Sequence, residues 1–168
     1  MNKDQLRALQ APLKARYRDQ PDAALITLKA EGRLGESVSC NVETGRALVA
    51  AGLHPATGGT GLQACSGDML LQALVACAGV TLSAVATALG IELRDARLVA
   101  EGDLDFRGTL GVEKEAPVGF RQIRLNVALD TPASDEDQQK LLSLTERYCV
   151  VYQTLRQGAD VRLSASLG

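Results

Sequence analysis

The chain has 168 residues, with 18 lysines and arginines against 20 aspartates and glutamates, for a formal net charge of −2. That length suits one domain, whose core can form without disulfides or metal. The basic residues are scattered and the aromatics are few (Tyr17, Phe106, Phe120, Tyr148, Tyr152, no Trp), which argues against a nucleic-acid surface, an anionic-membrane surface or a base-stacking platform.

In chain order, residues from Asp4 to about Arg18 read as an amphipathic helix, with Leu6, Leu9, Leu13 and Tyr17 near helical spacing and Pro21 closing it. This opening stretch carries charges throughout and lacks the apolar run of an export signal, so a reducing, cytoplasmic setting is expected. "ALITLKAEG", "ESVSCNVE" and "TGRALVAAG" follow as a strand meander or hairpin set. "HPATGGTG", His54 to Gly61, reads as a loop; with no following GK[ST] it is not a phosphate loop. A long apolar helix then runs from near Ser66, read as its N-cap, to a stop at Gly90. "RDARLVAEGDLDFRG" and "VGFRQIRLNVALD" read as two more strands. "TPASDEDQQKLLSLTERYC" opens a second helix, with Ser134 as cap and Asp137 at the capping-box position, and "ADVRLSAS" reads as a last strand. The order of elements predicts an α+β domain.

The apolar helix is long enough to span a bilayer, but Gln72, Thr81, Ser83 and Thr87 interrupt it and no basic cluster or interfacial Trp flanks it. No membrane association is expected. A helix apolar on all sides is normally buried on all sides, in a domain this small often against a partner subunit. Of the four cysteines (Cys40, Cys65, Cys77, Cys149) none form a CxxC pair, and His54 stands apart from any metal-ligand spacing, so no metal is expected. Cys77 lies near the middle of the apolar helix, beyond the reach of that helix's own N-terminal dipole; to ionise it needs a positive group from elsewhere. Cys65, at the helix start, has the dipole advantage instead, but it lies about 18 Å along the axis from Cys77, too far to bridge.

"SGDMLLQALVACAGVTL", the cysteine in "ERYCVVYQTL" and the Gly-Arg-x-Gly of "AEGRLGESV" together resemble the OsmC/Ohr family, the osmotically inducible protein C and organic hydroperoxide resistance proteins. The resemblance runs over roughly residues 23–166, within a single domain spanning 1–168 of which 1–22 form a helical extension. It implies an OsmC-like α+β fold, antiparallel sheets packed around a long buried central helix, in an intertwined homodimer. It also implies thiol-dependent reduction of small organic hydroperoxides, with an external dithiol as reductant and no bound cofactor. Cys77 corresponds to the peroxidatic cysteine, Cys149 to the resolving one, Arg33 to the arginine that stabilises the thiolate, and Asp68 to its carboxylate partner. Arg46 competes with Arg33 for that role. Two departures stand out. The hydroperoxide-resistance branch carries a Glu ten residues before the first cysteine, where this chain has Gly67, with Asp68 one step later and half a turn away from Cys77. The proline that commonly follows the second cysteine is replaced by Val150. The alternatives to a peroxidase are a non-catalytic dimer binding a small apolar ligand, with inert cysteines, and a thiol redox sensor without turnover.

Overall fold

The computed structural model describes residues 48–111 and 113–166, the strand segments 31–34 and 39–43, and residues 2–5, 8, 11 and 19. At the N-terminus residues 3–5, 8, 11 and 19 are helical. Asn2 and Gln5 cap this start reciprocally: the Gln5 N–H donates to Asn2 Oδ1 at 2.9 Å and the Asn2 N–H to Gln5 Oε1 at 3.0 Å. Most of the expected helix, Pro21 and the strand read from residue 24 up to residue 30 lie outside the described residues.

Strands β1 (Glu31–Leu34), β2 (Ser39–Glu43) and β3 (Leu48–Gly52) form the expected antiparallel meander, with Arg33 opposite Asn41 and Cys40 opposite Leu34 and Ala51. The short β4 (Ala64–Cys65) joins it parallel to β3. Between them His54 opens a 3₁₀ turn over Pro55–Thr57, its Nδ1 accepting the Ala56 N–H at 3.0 Å, and its ring stacks on Phe106 with centroids 5.0 Å apart.

Helix α1 (Ser66–Leu89) follows directly. Cys65, not Ser66, occupies its N-cap and makes no side-chain capping bond; Ser66 is the first helical residue. Gly90 ends it as expected, with φ of 74°, a conformation that costs glycine little, and the Gly90 and Ile91 amides close back on Thr87 and Ala86. Leu74, Ala78, Leu82 and Ala86, four residues apart, form its buried stripe. That stripe packs on the inner face of an antiparallel pair, β5 (Asp95–Asp103) and β6 (Gln122–Asp130), whose alternation turns Leu98, Ala100, Ile123, Leu125 and Val127 inward. The described residues do not bury the helix on all sides: Val80, opposite that stripe, is 73% exposed, and Ala73, Ala76 and Ser83 beside it are exposed too. By length and composition α1 could cross a membrane, yet two core clusters are built on it.

Two strand readings are corrected. The first stops at Asp103, because Asp105 accepts the Arg107 N–H at 3.1 Å and caps a short helix α2 (Phe106–Thr109). The last, "ADVRLSAS", is not a strand: its alternating Val161 and Leu163 are 88% and 97% exposed, and among the described residues no neighbouring strand supplies a ladder. The second long helix is two helices. Ser134 caps α3 (Asp135–Tyr148) by accepting the Asp137 N–H at 3.2 Å, and α4 (Val150–Gln157) begins after a break at Cys149, whose φ of −73° and ψ of 108° are extended.

A candidate dithiol site

The break at Cys149 makes the site. Cys149 is at once the C-cap of α3 and the N-cap of α4, its N–H bonded to the Thr145 carbonyl and its carbonyl to the Gln153 N–H, both at 3.0 Å. Its side chain is 1% exposed and packs with Leu74 and Ala78 of α1, and Cys77 lies against the same cluster. The N-terminus of α4 therefore faces Cys77. The amides of Val150 and Val151, which have no partner inside their own helix, and the Cys149 thiol stand near enough to the Cys77 sulfur to favour its thiolate. Thr81, one turn along α1, donates its hydroxyl to the Cys77 carbonyl at 2.8 Å and lies within reach of the sulfur.

These contacts separate the two thiols. Burial pushes the Cys77 thiol up, but the Val151 amide, the Cys149 thiol and the Val150 amide outweigh it and hold Cys77 below the ordinary thiol value. Burial raises Cys149 too, and there the Tyr152 amide does not compensate, because Cys149 is the donor to Cys77 and a second negative charge beside the first is unfavourable. Cys77 ionises first; Cys149 keeps its proton. Both are free thiols. The positive group that Cys77 lacks along its own helix comes from the amide end of another helix.

The other sequence-derived residues fall elsewhere. Arg33 sits mid-strand in β1, with its side chain outside the described residues, as is all of Arg46. Asp68 is exposed in the first turn of α1, about 13 Å along the axis from Cys77, and lines a separate cavity with His54, Cys65 and Asp103. A side chain at Gly67 would point at Phe120, Cys65 and Leu104, again away from Cys77. Cys65 is partly buried in that second cavity, and the Cys40 side chain is outside the described residues.

The Val150 and Val151 amides were not legible as functional groups, since a backbone N–H has no residue-type signature. The one local signal is the pair of β-branched valines after Cys149, which favours a break over a continuous helix. Beside the thiols, a cavity of about 300 Å³ is walled by Leu74, Ile123, Leu125, Tyr152 and Leu155, with Arg121 and Arg156 at its edge. Neither sulfur lines it, but Leu74, Ile123, Leu125, Tyr152 and Leu155 also belong to the apolar cluster that holds Cys149 and Cys77. A further cavity of about 330 Å³, distinct from the one at Asp68, reaches Cys149 itself past Thr145 and Glu146.

The family model described as OsmC-like protein matches residues 59–164. Among solved structures the chain is similar to the OsmC-like protein of Mycoplasma pneumoniae, at 20% identity and a TM-score of 0.65 over 79% of this chain and 89% of that one. It is similar to a Legionella pneumophila protein named as an organic hydroperoxide resistance protein OsmC, predicted redox protein and regulator of sulfide bond formation, at 22% identity and a TM-score of 0.57 over 86% and 99%. The organic hydroperoxide resistance protein OhrB of Bacillus subtilis is similar at 24% identity and a TM-score of 0.53, over 83% and 97%. No curated protein sequence matches the chain.

Proposed function

The chain belongs to the OsmC-like protein family, and on that premise we propose that it is a cytoplasmic, thiol-dependent peroxidase that reduces organic hydroperoxides. The observation that carries this reading is that α1 and the α3–α4 break bring Cys77 and Cys149 into one apolar cluster, where the first thiol is held below and the second above the ordinary thiol value. The Cys77 thiolate attacks the distal peroxide oxygen. The O–O bond breaks, the alkoxide takes a proton and leaves as alcohol, and Cys77 becomes a sulfenic acid. The Cys149 thiol condenses with it, forming the S–S bond and releasing water. An external dithiol then reduces the disulfide by exchange and is itself oxidised. The cavity walled by Leu74, Ile123, Leu125 and Leu155 favours an organic over a hydrogen peroxide substrate.

The working unit is proposed to be a homodimer. The exposed apolar side of α1 supports this, and Arg33 is proposed to complete the thiolate's surroundings in the assembled protein, with Asp68 as its carboxylate partner. The test is consumption of cumene hydroperoxide with excess dithiol. Turnover should fall to background in Cys77→Ser, while Cys149→Ser should still consume about one equivalent and then stop. Turnover that survives in Cys77→Ser would reject the assignment. Disulfide formation without turnover under several dithiols would favour a redox sensor.

A further inference from the structure

Two side chains of α4 reach back across the Cys149 break to a single residue of α3. The Arg156 guanidinium pairs with the Glu146 carboxylate, and Gln153 Nε2 donates to the Glu146 carbonyl at 2.8 Å. Glu146 lies one turn before Cys149, and its partners lie four and seven residues after Cys149. The backbone at Cys149 is extended, so no helical ladder fixes the angle between α3 and α4 there. The amide end of α4 must nevertheless meet the Cys77 sulfur on a third element.

We propose that Glu146 is a positioning residue of the dithiol: it straps α4 to α3 so that the Val150 and Val151 amides and the Cys149 thiol stay on Cys77. This rests on the reading of Cys77 as the attacking thiol. Glu146 touches neither sulfur; it acts through Gln153 and Arg156. The ion pair is half exposed, at 61% and 43% for the two side chains, and such a pair contributes little alone. The effect comes from two bonds converging on one residue, and its size is a few-fold rather than orders of magnitude.

The sign of one measurement separates positioning from simple electrostatics. Removing a nearby carboxylate by charge alone makes a thiol easier to ionise. Loosening the strap withdraws the amides and makes Cys77 harder to ionise. The Cys77 pKa is read from the pH dependence of iodoacetamide alkylation, resolved by peptide mass spectrometry, in wild type, Glu146→Gln and Glu146→Asp. The proposal expects the pKa to rise in E146Q, with alkylation at neutral pH about fivefold slower, and to return toward wild type in E146D. A fall, or no change, in folded E146Q would overturn it while leaving the peroxidase reading intact. An ordinary thiol pKa in the wild type would overturn the reading of Cys77 and this proposal with it. Should E146Q fail to fold, Gln153→Ala removes the second strap without altering charge, and its pKa must also rise; no rise overturns the proposal.

Discussion

Val150 occupies the first helical position of α4, where proline is well tolerated because the N–H there has no partner within the helix. In this chain that N–H stands near the Cys77 sulfur and favours its thiolate. Val150→Pro should therefore leave the fold intact, since Cys149 already has the extended backbone that a residue before proline requires. It should move the Cys77 alkylation curve to higher pH and slow peroxide attack several-fold at neutral pH. The replaced proline, visible in the sequence as a departure, thus marks an added hydrogen-bond donor. The Cys149 thiol gives a second test. Cys149→Ala removes a donor and should raise the Cys77 pKa; Cys149→Ser keeps an O–H in its place and should raise it less, as pH-resolved alkylation would show. The direction follows from the charge: each donor favours the thiolate, so each loss shifts the rising limb of the rate profile upward in pH. The two cysteines were legible as residues because their types and the family resemblance named them. Their mutual order of ionisation was not, because it depends on amide protons that every residue carries.

At the scale of elements, the sequence was readable wherever a helix or strand shows its period against one neighbour. Leu74, Ala78, Leu82 and Ala86 follow the helical period, and Ile123, Leu125 and Val127 alternate; both patterns appear as buried faces. Val161 and Leu163 alternate just as clearly yet pair with no strand among the described residues, because a strand also needs an edge beside it, which its own letters do not contain. The glycines make this contact-dependence measurable. A Cβ at Gly79, inside α1, would meet only Leu98 Cδ1 at 3.9 Å. Gly79→Ala should stabilise the protein by about 0.5–1 kcal/mol in urea unfolding, through helix propensity and lower unfolded-state entropy. A Cβ at Gly102, on β5, would overlap the Phe120 ring and lie 3.3 Å from Leu71. Gly102→Ala should destabilise by about 1–3 kcal/mol in the same measurement, the usual cost of overpacking.

For the molecule as a whole, the unmatched feature is the outer side of α1. Its centre, Val80, is 73% exposed, with Ala73, Ala76 and Ser83 exposed beside it, in the longest and most apolar helix among the described residues. If two copies bury this face, as the proposed dimer requires, Val80→Asp should convert the dimer to monomer in sedimentation equilibrium and lower turnover with it. A wild-type monomer would remove the dimer from the proposal. The amide end of α4 on Cys77 has a last consequence, for the oxidising power of the disulfide. Every hydrogen bond that favours the Cys77 thiolate exists only in the dithiol form and is lost when the sulfurs join. Stabilising the reduced partner of a redox couple raises its reduction potential. The disulfide of this protein should thus give itself up to a comparatively weak reductant, so that the donors that speed the first half of the cycle also ease the last.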